Sequence, residues 1–440
     1  MKSWTWKYVA AVTVVAALVI PGWLHAQDQE NHNKRQTHYT VQALGSLGGT
    51  SCCQSETINN RGWVDGSSNL AGDQSFHPFL WINGRMTDLG TLGGPNSNVG
   101  GMNEVGDVTV GGSDTGTPDL LGEDFCSYGT HQTCLSFVWH NGTRTLVPTL
   151  GGNNNDVATI NNRGQVLAFA ETATPDATCI PPQVLGFEAF IWEPKSGDIR
   201  ELPPLPGDSI SAGFSMNENG DVAGTSGICA NVSSASALHI ALWQNGNPID
   251  PGNLGGTTGN FGLSINNRGQ VVGVSDLPGD TTFHGILWQN GVMTDLGTLP
   301  GDFASLATGI NNVGQIAMTS CDANFNCRAA VWQDGVMTDL NILIPSSSPL
   351  FLIGAGEINS RGQIAGTALD QIGAIVPFLA TPCDEWHDDK GGCGDGVQGA
   401  SVAALEASER PRVILPENIR EQLRQRRGLG RFAAGIMRPQ

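Results

Sequence analysis

The chain alternates short apolar stretches with turns rich in asparagine and glycine, and the alternation is periodic. A phrase of the form Ile/Met-Asn-x-x-Gly stands seven times: "INNRG" at 58–62, "MNEVG" at 102–106, "INNRG" at 160–164, "MNENG" at 216–220, "INNRG" at 265–269, "INNVG" at 310–314 and "INSRG" at 358–362. The steps between its asparagines are 44, 58, 56, 49, 45 and 48 residues. An apolar triplet ending in Trp follows six of them: "FLW" (79–81), "FVW" (137–139), "FIW" (190–192), "ALW" (241–243), "ILW" (286–288) and "AVW" (330–332). After the seventh stands a degenerate "PFL" at 377–379. Self-similarity at this period predicts stacked supersecondary units.

Each unit resolves into four strands, a to d, as residues 261–297 illustrate. "FGLSIN" is strand a, and "NNRG" is a turn whose fourth residue, glycine, accepts positive φ. "QVVGVS" is strand b, "HGILWQ" strand c and "VMTDLG" strand d, with "NG" as a tight primed hairpin turn between c and d. Strand c is apolar on consecutive residues, which predicts cover on both faces. Four-stranded sheets packed face to face about an axis supply that cover, so the expected fold is all-β, a seven-bladed β-propeller of antiparallel blades over 38–382. Strands a to c occur seven times but d only six times between them. The missing strand is at the other end: "HYTVQALGSLGG" at 38–49 reads as a strand d. We expect "YTVQALG" to pair with "AIVPFLA" (374–380), closing the ring and removing its open edges.

The phrases "DLGTLGG" (88–94) and "INNRGQVVG" as it stands at 265–273 resemble the HAF repeat family of extracellular bacterial repeats. The His-Ala-Phe triplet that names the family survives only in part, as "HPF" (77–79), "EAF" (188–190), "HIA" (239–241) and "HGI" (284–286). The resemblance covers roughly residues 38–382 and implies secretion and a repeat fold; it brings no catalytic residues.

Composition agrees with export. Lys2 and Lys7 precede an apolar run from Tyr8 to Ile20 that is 13 residues long, short of the roughly 20 that span a bilayer as a helix. Leu24-His25-Ala26 gives a cleavage site, so 1–26 reads as a signal peptide and the protein as secreted or at the cell surface. Ten cysteines, an even number with no C-x-x-C, predict disulfides and not a zinc site. Local pairing gives Cys126–Cys134, Cys321–Cys327 and Cys383–Cys393, with Cys179–Cys229 joining neighbouring blades. Cys52 and Cys53 are expected in a d–a connection, their partners open. Residues 27–382 hold 11 Lys+Arg against 32 Asp+Glu, a net of −21. So acidic a body repels phosphate backbones, which argues against nucleic acid as a partner.

Chemistry is sparse. No G-x-S-x-G, P-loop or H-E-x-x-H motif occurs, nor do the S-x-D-x-G-x-x-W boxes of sialidase propellers. His77, His239 and His284 each begin a strand c in a different blade, too far apart to share a metal, and are expected to be local and structural. The repeated tryptophans, such as Trp243 and Trp288, are expected in inter-blade core. "NENGD" (217–221) reads as a plain turn, not a calcium loop. No cofactor or metal is expected. The repeat is broken in two long b–c connections, 114–134 and 172–186, on the face shared with the d–a connections. Asp114, Asp119, Glu123 and Asp124 make that face acidic, and they are the expected ligand-binding residues. The tail 383–440 reads as a small cysteine loop with an acidic cluster and His387, then a short basic helix in 416–432 with Ile419 and Leu423 on one face. The expected function is a monomeric, non-catalytic scaffold that binds an extracellular protein or glycan at the loop-bearing face. The alternatives are a lactonase- or glycosidase-like hydrolase or lyase at the channel mouth, and a surface-assembly protein.

Overall fold

In the computed structural model the described residues are 37–230, 237–383, 413–415 and 417, with backbone only at 51–54. The signal segment, Cys393 and nearly all of the tail lie outside them. β1 (Tyr39–Ala43) is followed by blade 1, built of β2 (Gly48–Ile58), β3 (Val64–Leu70), β4 (Phe76–Ile82) and β5 (Arg85–Asp88). Blade 2 is β6 (Val108–Pro118), β7 (Gln132–His140) and β8 (Thr143–Leu146); blade 3 is β9 (Gly151–Ile160), β10 (Val166–Pro175), β11 (Leu185–Trp192) and β12 (Ile199–Leu202). Blade 4 is β13 (Ile210–Met216), β14 (Val222–Gly227), β15 (His239–Gln244) and β16 (Asn247–Ile249). Blade 5 is β17 (Phe261–Ile265), β18 (Val271–Asp276), β19 (Phe283–Gln289) and β20 (Val292–Asp295). Blade 6 is β21 (Ala304–Ile310), β22 (Ile316–Cys321), β23 (Cys327–Gln333) and β24 (Val336–Asp339), and blade 7 is β25 (Phe351–Ile358), β26 (Ile364–Leu369) and β27 (Ile375–Pro382).

β1 completes blade 7, pairing antiparallel with β27 from Tyr39↔Pro382 to Ala43↔Phe378. The molecule is a seven-bladed β-propeller, closed by its N-terminal strand. Ala380 stands opposite Ile364, as Trp81 does opposite Val64. The seventh triplet is therefore "FLA" at 378–380, one residue on from the "PFL" expected at 377–379. In blade 2 the inner segment is no continuous strand: Met102 bridges Val108, and Gly100 N–H donates to Thr109 O at 2.8 Å. The Thr109 hydroxyl takes the N–H of Gly101 at 2.7 Å and donates to its carbonyl at 2.9 Å, so a side chain replaces part of the ladder.

The repeated asparagine is the structural reason for the repeat. Asn266 is representative: Oδ1 accepts from Arg268 N (3.0 Å) and Gln270 N (3.1 Å), while Nδ2 donates to Gln270 Oε1 (2.7 Å) and to the carbonyl of Asn311 in the next blade (3.0 Å). The inter-blade bond recurs at every step, from Asn59 to Asn103 O, to Asn161 O, Asn217 O, Asn266 O, Asn311 O and Asn359 O. Asn359 closes the circle on Asn59 O at 2.9 Å. A buried amide with all four bonding positions occupied meets the requirement that buried polar groups be paired.

The "TLGG" phrase has an equally local cause. The Leu N–H donates to a strand b serine 21 residues on: Leu47 to Ser68, Leu92 to Ser113, Leu205 to Ser226, Leu254 to Ser275 and Leu299 to Ser320. Tryptophans pack between blades as expected. Trp243 is fully buried, and its indole N–H donates to Pro203 O at 2.8 Å; Trp288 lies against Ala223, Leu242, Ile265 and Val271 of blades 4 and 5.

Candidate binding site on the loop-bearing face

Blades 2 and 3 carry the site. Their b and c strands run further than expected: 114–118 belong to β6, 132–134 to β7, 172–175 to β10 and 185–186 to β11. The two long connections are thus tall hairpins ending in short loops. Disulfides join Cys126–Cys134, Cys179–Cys229 and Cys321–Cys327. They sit at strand ends as much as in loops, since Cys321 closes β22, Cys327 opens β23 and Cys134 lies in β7. Cys383 is disulfide-bonded, and its expected partner Cys393 lies outside the described residues. Cys52 and Cys53 lie within β2, not in a d–a connection, because that strand starts earlier than the apolar pattern indicates.

The four acids expected to face a ligand are brought together, but three of them turn inward. Asp114, Asp119 and Glu123 are buried, and Asp124 is half-buried. Glu123 Oε1 accepts from Val184 N (2.7 Å) and Leu185 N (2.9 Å), tying the blade 2 loop to the blade 3 loop. Asp119 Oδ1 accepts from Leu121 N (2.8 Å) and Glu123 N (3.0 Å). Asp114 accepts from the Thr130 hydroxyl at 2.9 Å, and burial raises its pKa. Asp124 accepts from Gly129 N at 2.9 Å. Beneath them Asn154 Nδ2 donates to both Asp119 (3.1 Å) and Glu171 (2.9 Å), and Gln183 Nε2 to both Glu123 (3.2 Å) and Glu171 (2.8 Å). These carboxylates brace the two loops from below. Glu171, which the sequence reading passed over, had a signal: it stands 21 residues after Leu150, where five other blades place the serine.

With the acids turned inward, aliphatic side chains face out. Phe125 packs with Phe169 and Phe187, ring centroids 6.0 and 6.2 Å away, and so pins one end of the blade 2 loop. Leu120 is left 83% exposed and Leu121 48%. Across the Glu123 tie, Ile180 is 47% and Val184 38% exposed. Exposed aliphatic side chains on two loops that Glu123 ties together are candidates for an interaction site. Asp176, Cys179 and Cys229 bring three potential metal ligands together, but both sulfurs are engaged in the disulfide.

The strand c histidines are each paired with an aspartate. His77 pairs with Asp88 (3.0 Å), His239 with Asp208 (2.9 Å) and His284 with Asp295 (2.9 Å), each in its own part of the ring. Ser226 donates to the same Asp208 oxygen at 2.6 Å, giving a serine, an aspartate and a histidine together. The serine bonds the acid and not the imidazole. Blade 6 repeats the arrangement as Ser320, Asp302 and Arg328, the guanidinium standing for the ring. Among the described residues the imidazole hydrogen bonds go to aspartates, to Asn141 or to the Gly122 carbonyl, while the backbone carbonyl of His239 accepts from the Thr225 hydroxyl at 2.9 Å.

Two carboxyls stand at inner-strand bulges, Asp65 from β3 and Glu357 in β25. Inner strands in six blades shift register just before the asparagine, a bulge that leaves one N–H unpaired in the ladder. Asp65, where other blades carry Thr, Leu, Ala or Val, fills that role in blade 1 by accepting from Thr57 N at 2.9 Å. Glu357 accepts from Ile358 N at 3.1 Å and lies against Gly309, where a Cβ would stand 2.2 Å from its oxygen. Burial pushes the Asp65 pKa up to about 7 and the Glu357 pKa up to about 8, with Asp65 adding a like charge to the latter. Both native-state values exceed the ordinary 3.8 and 4.5, so the folded protein holds protons that the unfolded chain has released. This contribution is complete below the unfolded values and is lost as pH rises through about 7 to about 8. Glu357→Gln should therefore stabilise the protein at pH about 9 by on the order of 2 kcal/mol. The gain should vanish near pH 4, as read by urea unfolding at both pH values.

No protein-family model matches the chain, and no curated protein does. Solved structures similar to it include a Mycobacterium tuberculosis puromycin-hydrolyzing peptidase, at 10% identity and TM-score 0.42, over 78% of this chain and 56% of that one. The chain thus spans little more than half of that peptidase. The polysaccharide lyase Uly1 is similar at 9% identity and TM-score 0.43 over 80% and 93%. The SapL1 lectin, solved with alpha methyl fucoside, is similar at 10% and 0.35 over 78% and 97%. At these identities and scores the likeness assigns the chain no activity. Among the described residues no helix is long and apolar enough to cross a membrane.

Proposed function

We propose that the chain is a secreted HAF-type repeat protein that binds a protein or glycan of the cell exterior, without catalysis, through the blade 2 and 3 loops. The observation that carries the reading is the exposure of Leu120, Leu121, Ile180 and Val184 on loops that two disulfides and the Glu123 tie hold in place. Rigid loops lose little freedom on binding. Exposed aliphatic side chains favour a protein over a glycan.

The double variant Leu120→Asp/Ile180→Asp tests this. Both side chains already meet water, so the melting temperature should stay within about 2 °C of the parent. Retention on an extracellular-matrix and cell-envelope protein array should fall by roughly tenfold or more. Equal retention of parent and variant would sink the proposal. A hydrolase or lyase would instead depend on titratable groups, and Asp65 and Glu357 are the carboxyls with strongly raised pKa. Turnover of a lactone or polysaccharide panel that Glu357→Gln abolishes would establish that alternative.

A further inference from the structure

The opposite face, where the a–b turns lie, differs in charge from the rest of this acidic body. Arginine occupies the third turn position in four blades, as Arg61, Arg163, Arg268 and Arg361, all exposed. None of the four guanidiniums hydrogen-bonds or pairs with an acid among the described residues. Each of three is laid across the next blade's turn: Nη2 of Arg361 comes within 3.1 Å of where a Cβ on Gly62 would stand, Arg163 within 3.1 Å at Gly220, and Arg268 within 3.0 Å at Gly314. Those glycines, with φ of 79°, 81° and 90°, leave the space that the guanidiniums use. Arg61 instead stacks on Trp63, 5.0 Å from its centroid, at the position where the other three arginine turns carry Gln165, Gln270 and Gln363.

The arginines are unevenly set among acids. The turns of blades 2 and 4 contain Glu104 with Asp107 and Glu218 with Asp221, which flank Arg163. The turns of blades 5, 6, 7 and 1 (266–270, 311–315, 359–363 and 59–63) contain no acid at all. Arg268, Arg361 and Arg61 therefore stand along more than half of the rim, on turns that the asparagine ring fixes relative to one another; Glu104 of blade 2 bounds this arc at its blade 1 end, accepting from Asn60 N at 2.9 Å. The outer c–d turns of the same blades add Arg85 and Asp334, which leaves the sector net positive.

We infer that this arc is a second binding surface, for an acidic, carboxylate-bearing polysaccharide. Positive charge held on exposed turns complements the carboxylates of such a chain. Three unpaired cations spaced along an arc suit a chain with regularly repeated charges, since each further contact is made at high effective concentration. Trp63 packs against the Leu80, Leu89 and Val108 cluster and holds Arg61 in place across its ring.

The test is retention of the full secreted chain on immobilised polygalacturonate, with neutral dextran as comparison. The parent should bind polygalacturonate at low ionic strength, bind dextran poorly, and be released by salt. Arg61→Gln/Arg268→Gln/Arg361→Gln should lose roughly tenfold or more in affinity, and the corresponding triple Lys variant, which keeps the charge, should stay within about threefold. An unchanged melting temperature shows that the ring is intact in each. Three results would each overturn the inference: a parent that prefers dextran or ignores both polymers, a Gln variant that binds as the parent does, or a Lys variant as weak as the Gln one. The chain's own acidic stretch follows β27 in sequence, so Asp384→Asn/Glu385→Gln/Asp388→Asn/Asp389→Asn is included. Binding that appears only in this variant would assign the arc to that stretch and also overturn the inference.

Discussion

Deleting residues 38–45 should abolish the cooperative unfolding transition. β1 supplies the outer strand of blade 7, and without it the whole length of β27 becomes an unpaired edge. Tyr39 is 1% exposed within a cluster that includes Leu340, Leu352, Ile364 and Phe378, and its N–H donates to Leu343 O at 2.9 Å. Burial raises its phenol pKa to about 12. The strand thus fastens blade 6's exit segment as well as blade 7. Tyr39→Ala should cost about 3–5 kcal/mol, as removal of a large buried aromatic side chain does. The deletion should go further, giving a broad, low-temperature transition and a species that aggregates through the exposed edge. Tryptophan fluorescence and light scattering during heating would show both effects. A sharp transition near the parent's temperature would mean that the ring does not need its fastening.

The second large effect should come from a single atom change in the asparagine ring. Asn266→Asp keeps the shape and both Oδ1 bonds but places an acceptor where Nδ2 now donates to Gln270 Oε1 and Asn311 O. Two donor bonds become two acceptor–acceptor contacts at a site only 4% exposed. The loss should be about 4 kcal/mol at neutral pH, more than the ~2–3 kcal/mol expected of Asn266→Ala, which merely leaves partners unbonded. Protonation of the new carboxyl restores one donor, so the Asp variant should recover part of its loss as pH falls toward 4, whereas the Ala variant should not. Guanidinium unfolding at both pH values would separate them. An Asp variant no weaker than Ala would mean the ring bonds contribute little.

Much of this architecture was legible because it is repetitive. A phrase written seven times must satisfy seven equivalent environments, so Asn59 and its counterparts announced a turn, and the Asn-Gly pairs announced hairpins. At Asn83, Asn141, Asn245 and Asn290 those hairpins have the positive φ they require. The count of outer strands located the closing segment, because an edge left open in one blade has to be filled by whatever strand is left over. The paired cysteines of blades 2, 3, 4 and 6 followed from closeness along the chain or across neighbouring blades.

What the repeat did not contain, the sequence could not supply. In an aperiodic loop no alternation says which side chain faces water, and polarity alone suggested that Asp114, Asp119, Glu123 and Asp124 faced out. The fold decided otherwise: Glu123 turns to the backbone N–H groups of Val184 and Leu185, Asp119 to those of Leu121 and Glu123, and Asp114 to the Thr130 hydroxyl, on loops that Phe125 and the disulfides hold. The register of β27 was likewise settled by pairing, since one residue of slip exchanges the two faces of a strand and only β26 and β1 together select Ala380 for the tryptophan position. Repetition and local turn chemistry were enough to determine the ring. The direction of each side chain on its loops depended on contacts between segments distant in sequence, which arise only once the ring has closed.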